Sequence, residues 1–380
     1  MQKSDFTKEC FGNLVPTISG QMAFVPGVLP PSMVWTPELV GYLSDADRAV
    51  GELNGIGLNL PNPHLLIGPF TRREAVLSSR IEGTQSQIKD TYLFDIEPQK
   101  DGPPDVQEVT NYVHALNYGL ERIKELPVSV RFARELHQIL MKDVRGQHQA
   151  PGKLRRDQNW IGPAGCPIEL ATYIPPPPSK LGEIMSLWEK FIHLPPTLPA
   201  LIRLAMVHYQ FEAVHPFCDG NGRIGRLLIT IQLCSEGILR EPLLYLSAYF
   251  ERNRNAYYRH LLKVSTEGRW TDWILFFLEG VREQSKDAFE RARRLLDLKD
   301  EFHKILHTSQ RSALQLKLVD ELFVNPFLTT TRAVKILNVT PAAAQGNINK
   351  LIKAGILREI TGRKKYRIYL AEEIMRTISD

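Results

Sequence analysis

Cysteine is scarce: only Cys10, Cys166, Cys218 and Cys234 occur in 380 residues. They make neither a dense disulfide framework nor a metal-ligand spacing, a usage that suits a reducing compartment. Long apolar runs are missing as well. Trp273-Ile274-Leu275-Phe276-Phe277-Leu278 is too short to cross a bilayer and reads as buried helix. The opening MQKSDFTKEC has no apolar signal-peptide core. Net charge is small, +5, so the total does not call for a nucleic-acid partner. No internal repeat is present. The expectation is a folded cytoplasmic protein with no membrane partner and, at this length, two or three domains.

What charge there is sits at one end. Residues 321–370 hold nine Lys/Arg against two Asp/Glu, so the remainder is close to neutral. Turn formers dominate residues 1–65, including Pro61-Asn62-Pro63, with one helix starting at Thr36-Pro37-Glu38. Thr71-Arg72-Arg73-Glu74 has capping-box spacing and predicts a helix from Thr71 to about Arg80. From Pro104 apolar residues recur at helical spacing, first Val106, Val109, Val113, Leu116 and Leu120, then Phe132, Leu136, Ile139 and Leu140. Residues 146–178 break the pattern with glycines, Trp160-Ile161-Gly162 and four prolines, and read as a hairpin or flap beside a stiff polyproline stretch. Helices are expected again over Leu181–Phe191 and after Pro199, Asn221, Tyr245 and Trp270, with a connecting helix from Val281 to about His303.

The chemistry concentrates in His215-Pro216-Phe217-Cys218-Asp219-Gly220-Asn221-Gly222-Arg223-Ile224-Gly225-Arg226. An imidazole precedes a carboxylate by four residues. The Gly-Asn-Gly turn can aim backbone N–H groups inward as an anion nest. Arg223 and Arg226, three apart on the helix that follows, share a face. That helix begins at the turn, so its unpaired amides also favour phosphate. Together these describe a polyphosphate cradle with one metal-binding carboxylate and one base.

This segment resembles the Fic family signature, HPFx(D/E)GNGRxxR, at every fixed position, and the likeness extends over roughly residues 65–280. The resemblance implies a mainly α fold: a Fic helical core with a β-hairpin flap. It implies a protein adenylyltransferase that moves AMP from ATP to a Ser, Thr or Tyr hydroxyl of a target protein, itself included, and releases pyrophosphate. His215 would be the general base and Asp219 the Mg²⁺ ligand. Gly220, Asn221, Gly222, Arg223, Gly225 and Arg226 would bind ATP. Doc-type kinases depart from Gly-Asn-Gly-Arg, so its presence favours nucleotidyl transfer. Members that use another phosphate donor, or remove AMP, share the cradle.

Three flanking features fit the same resemblance. Gly152-Lys153-Leu154-Arg155 through Asn159, Trp160 and Ile161, followed by Ala171-Thr172-Tyr173-Ile174-Pro175, resembles the flap that holds a target segment by main-chain bonds. Tyr249, Asn253 and Tyr257 lie about one helical turn apart in the segment expected to close over the adenine, and His208 packs behind the site as a structural histidine. Ser78-Ser79-Arg80-Ile81-Glu82-Gly83 fits the inhibitory motif (S/T)xxxE(G/N), whose Glu82 would pair with Arg226 and occupy the arginine meant for the γ-phosphate.

The last segment has its own character. Helices over Thr329–Leu337 and Pro341–Ala354, then two short strands around Thr361-Gly362-Arg363-Lys364-Lys365, give the order of a winged helix-turn-helix. Lys350, Lys353, Arg363, Lys364, Lys365 and Arg367 would meet phosphates, but the recognition helix offers only Gln345 and Asn347 for reading bases. A DNA-binding regulator is therefore the alternative function, and a protein partner for the module and a homodimer stay open. The expected division is 1–103 with the inhibitory helix around 71–83, the Fic domain 104–280, the connecting helix 281–309 and the winged-helix domain 310–380.

Overall fold

The structure is a computed structural model that describes residues 3–59, 64–96, 104–144, 148–308 and 313–379. The Pro61-Asn62-Pro63 turn and the boundaries expected near 103 and 309 fall outside the described residues. The turn-rich start hides an antiparallel hairpin of β1 (Gly12–Pro16) and β2 (Met22–Pro26), with Leu14 opposite Phe24. Ala23 and Phe24 are fully buried and anchor it, a contribution of roughly 1.5–3 kcal/mol for the Phe24 ring.

Helix α1 (Pro37–Asn59) starts as expected, with the Leu39 amide donating to Thr36 Oγ1 at 3.1 Å. Helix α2 (His64–Ile81) does not start at Thr71: it begins seven residues earlier and carries Pro69 inside. The capping-box residues turn sideways instead. Thr71 Oγ1 lies 2.9 Å from the Tyr245 hydroxyl, and Glu74 accepts from the Tyr112 hydroxyl at 3.0 Å and from Ser247. Tertiary partners have overridden the local signal.

Helices α3 (Ile88–Ile96), α4 (Pro104–Arg122) and α5 (Val130–Leu140) follow, the last capped by Ser129. The flap region is a loop closed by one antiparallel bridge, Ile161 to Tyr173. Beyond it come α6 (Leu181–His193), α7 (Ala200–Val214), α8 (Asn221–Ser235), α9 (Ser247–Arg252) and α10 (Arg254–Glu267). Helices α7 and α8 are buried along nearly their whole length and form the centre of the core. The helix expected after Trp270 and the connecting helix are one, α11 (Trp270–Thr308). Trp273, Phe277, Val281, Ala288, Ala292, Leu295, Phe302 and Leu306 carry its buried stripe through the charged run without a break.

The C-terminal unit is winged-helix-like. Helix α12 (Ala313–Val324) leads into β3 (Phe327–Thr329), α13 (Thr330–Leu337), α14 (Pro341–Lys353), β4 (Arg358–Glu359), β5 (Ile368–Leu370) and α15 (Glu372–Ser379). Thr329 and Thr340 cap the two helices, and Asn338 ends α13 in the left-handed region at φ 54°. The sheet has three strands, ordered β3-β5-β4, one more than the two-stranded wing expected. The unit is fastened to the core. Arg291 Nη1 donates to Thr377 O at 2.6 Å, Lys299 pairs with Asp320 at 2.9 Å, and the Tyr92 and Phe327 rings lie 6.3 Å apart. None of the described helices is long and apolar enough to cross a membrane.

Candidate active site

The site is built on the turn between α7 and α8. His215 caps α7 with φ 49° and ψ 60°, its amide donating to Phe211 O at 3.0 Å. A left-handed non-glycine residue is uncommon and persists only where its surroundings hold it. Here Arg155 does so. Its guanidinium donates to the carbonyls of His215 (2.9 Å), Pro176 (2.5 Å) and Asp157 (3.2 Å), and its own amide donates to Pro216 O at 3.0 Å. The His215 Nδ1 lies 3.4 Å from Glu212 O. With Nδ1–H donating there, Nε2 keeps its lone pair. Burial and the Arg155 charge push the imidazole down to about 4, so it is neutral at physiological pH.

A second histidine shapes the turn from below. His137 on α5 stacks on Phe217 with centroids 4.0 Å apart. Its Nδ1 accepts from the Gly152 amide at 2.8 Å, which leaves Nε2–H to donate to Asp219 O at 3.0 Å. Burial lowers this imidazole to about 4 as well. Asn221 closes the loop on itself: Oδ1 accepts from Phe217 N at 2.8 Å and Nδ2 donates to Phe217 O at 2.9 Å. Its side chain is thus committed to the backbone, and the Gly220 amide donates to Asp219 Oδ1 at 2.6 Å, which leaves the Asn221 and Gly222 amides to face an anion. Asp219 stays at the rim, its side chain 41% exposed.

Both arginines of α8 are buried to 2% and each meets a carboxylate. Arg223 Nη1 bonds Glu108 Oε2 on α4 at 3.0 Å. Arg226 turns to the end of α2, where Nε donates to Ser78 Oγ at 2.8 Å and Nη2 to Ser78 O at 3.0 Å and Glu82 Oε1 at 2.7 Å. Burial would raise the Glu82 carboxyl, but the Arg226 charge outweighs it and holds it below the usual range. A Cβ at Gly222 would stand 2.3 Å from Glu82 Oε1, so a side chain there would displace the Glu82 carboxylate from its present place.

Residues 40–121 match the Fic/DOC family N-terminal profile, and residues 127–233 match the Fic/DOC family profile. This is a Fic/DOC-family protein. A protein adenylyltransferase Fic from Drosophila erecta is 28% identical over 160 residues, which is 41% of this chain and 28% of that protein. Its counterpart from Drosophila willistoni is 25% identical over 196 residues, 51% and 35% of the two chains. The matched part is thus about a third of these relatives' length. A Fic family protein from Desulfovibrio desulfuricans shares the fold with a TM-score of 0.58 at 18% identity, covering 90% of this chain and 98% of that one. A Fic domain containing signaling protein from Bacteroides thetaiotaomicron gives 0.53 at 20%, covering 67% and 97%.

In this Fic protein two of the three residues expected around the adenine, Tyr249 and Tyr257, lie deep, and Asn253 is half-buried. Tyr249 is 4% exposed and packs on Gly280, and Asn253 Nδ2 donates to Tyr249 O at 3.0 Å. Tyr257 is 1% exposed, its hydroxyl 2.8 Å from His208 Nε2, which makes His208 a packed core residue stacked among Phe250, Tyr257 and Trp273. The neighbouring Tyr258 keeps 40% exposure. In the flap, Trp160 and Ile161 are exposed, and Asn159 Nδ2 donates to Phe217 O at 3.1 Å. A cavity of about 660 Å³ opens between residues 148–160 and Cys218, beside the turn. The sequence reading missed His137, Glu108 and Glu212, and it noted Arg155 only within the flap.

Proposed function

We propose that the protein transfers AMP from ATP to a hydroxyl of a target protein and that Glu82 holds the reaction in check. One observation carries the reading: Arg226, at the mouth of the turn behind His215, is held by Ser78 and Glu82 of α2. The target oxygen attacks the α-phosphorus, its proton passes to His215 Nε2, and pyrophosphate leaves. Neutral His215 has the lone pair for this step. The Asn221 and Gly222 amides, that of Gly220 once Asp219 Oδ1 releases it, the α8 N-terminus and Arg226 receive phosphate charge, with Gly225 giving α8 its close approach. Arg223 reaches them only by sharing its charge with Glu108.

Among the described residues no cluster of three or more His, Cys, Asp or Glu could hold a metal. A lone rim carboxylate, Asp219, fits Mg²⁺, which keeps waters and phosphate oxygens in its shell. Bound there, the ion would supply charge neutralisation on the phosphates. Trp160 and Ile161, exposed beside the cavity, would hold the target segment, and Tyr249, Asn253 and Tyr257 would back the adenine wall. The domain division proposed above keeps the C-terminal unit separate from this chemistry.

That unit supports a second role beside the first. Its wing exposes Arg363, Lys364, Lys365, Tyr366 and Arg367. Yet Gln345 is bonded to Tyr369, Asn349 and Thr330, and Asn347 to Gln315 and Ala343 O. The base-reading groups are engaged internally, so any duplex binding would run through phosphates and fall steeply with salt.

The test is transfer of label from α-labelled ATP with Mg²⁺ in wild type, Glu82→Gly and Glu82→Gly/His215→Ala. Strong label in the single variant, reduced about 10²- to 10⁴-fold in the double, is the expected result. Label that survives loss of His215, or that is absent from a folded, ATP-binding Glu82→Gly protein, sinks the reading.

A further inference from the structure

Helix α8 presents two glycines one turn apart around Arg226, and a carboxylate lies against each. A Cβ at Gly222 would stand 2.3 Å from Glu82 Oε1, and one at Gly225 would stand 2.2 Å from Glu212 Oε1. Neither position takes a side chain without moving its carboxylate. Glu82 is bonded to Arg226, whereas Glu212 Oε1 is buried with no hydrogen-bond partner. Buried orphan acceptors are rare enough to call for a reason.

The groups around Glu212 come from four helices. On its own helix stand His208, one turn earlier, and His215, three residues on. Helix α8 contributes Arg226, the end of α2 contributes Glu82, and α10 contributes Tyr257 and, close to Arg226 and Glu82, Tyr258. Burial holds His208 at about 3 and His215 at about 4, so both are neutral at physiological pH. Arg226 is the cation of this cluster, and Glu82 and Glu212 are the carboxyls that flank it.

We propose that Glu212 is a proton-gated positioning residue of the latch: protonated, it lets Glu82 keep Arg226; ionised, it repels Glu82 and becomes the counter-ion that Arg226 needs when the latch opens. The proposal rests on the adenylyl-transfer reading and names a regulator of that same site. Burial holds the Glu212 carboxyl up at about 8, the Arg226 charge opposing and the Glu82 charge adding to the rise. With Glu82 withdrawn, the repulsion goes and the Glu212 pKa falls. Ionisation therefore favours the open form. The effect is absent where both forms are protonated, grows between the open-state pKa and about 8, and is complete above that. Each unit between the two values multiplies the open-to-closed ratio about tenfold.

The experiment follows self-labelling by α-labelled ATP, and ATP affinity by equilibrium binding, from pH 6.5 to 9.5. Wild type, Glu82→Gly and Glu212→Gln full-length chains are compared. Wild-type labelling and affinity should rise about three- to tenfold between pH 7 and 9. Glu212→Gln, isosteric but unable to ionise, should be flat. Glu82→Gly should be active and flat, since its latch is gone and His215 is neutral throughout. A flat wild type, or a rise that persists in Glu212→Gln, overturns the proposal. If Glu82→Gly labels at no pH, the transfer reading fails, while the affinity series still decides on Glu212. Should Glu212→Gln not fold by circular dichroism, wild type against Glu82→Gly decides: a rise in both, or in neither, removes Glu212 from the latch.

Discussion

Arg223 and Arg226 leave the same helix three residues apart, both buried to 2% and both facing a glutamate, yet the two stations differ in their partners. Glu108 is sealed at 3% exposure inside α4, whereas Glu82 stands just past the end of α2 with 33% of its side chain exposed. A sealed pair has no way out: stripping one partner leaves a charge with neither water nor counter-ion. A pair with one wet partner has two accessible states, since the glutamate can leave into solvent and Arg226 can turn to phosphate. The chemistry of the contact is the same, and exposure of the acid separates scaffold from switch.

The largest expected effect is at the sealed station. Glu108→Ala should cost about 3–5 kcal/mol, read as a fall in the denaturant midpoint. Glu82→Gly should leave stability nearly unchanged and raise labelling at least about tenfold, equivalent to about 1.4 kcal/mol of latch. Equal destabilisation by the two would erase the distinction. Ser78→Ala removes the hydroxyl that takes Arg226 Nε but keeps the carbonyl contact, so a loss of about 1 kcal/mol should raise labelling about fivefold. The smallest effect is in acid. Because Arg226 holds Glu82 below the usual carboxylate range, its contribution is present above the unfolded value and is lost only as pH falls through the lower folded one. ATP affinity should therefore be unchanged between pH 6.5 and 5, and a latch that opens by pH 5 contradicts the pairing.

The turn and its arginines were legible because their chemistry is contiguous: His215 to Arg226 is one run of chain. Ser78 and Glu82 were legible as spacing alone, since nothing local says that Arg226 lies beside them. The residues that support the turn carry no such signal. Glu108 sits inside an ordinary amphipathic pattern 115 residues from Arg223, and His137 is 82 residues from the Asp219 carbonyl it bonds. Periodicity found the helices but not where α2 begins, because Thr71 and Glu74 serve Tyr245, Tyr112 and Ser247 rather than a helix end. Short strands fared worst. Three residues at Phe327–Thr329 are too few to show an alternation, and at β1 and β2 it is drowned by glycine and proline.

Helix α11 joins what the sequence suggested as separate pieces. Its 39 residues span about 58 Å, a rigid shaft rather than a tether. Near one end Trp273 Nε1 is hooked to Ala205 O on α7, the helix that carries Glu212 and ends at His215. Further along, Asp287 binds both Arg73 of α2 and Arg291, and Arg291 grips the last carbonyls of α15. Torque applied at α15 would thus reach the seat of the base and the helix that leads to Glu82 through one unbroken axle.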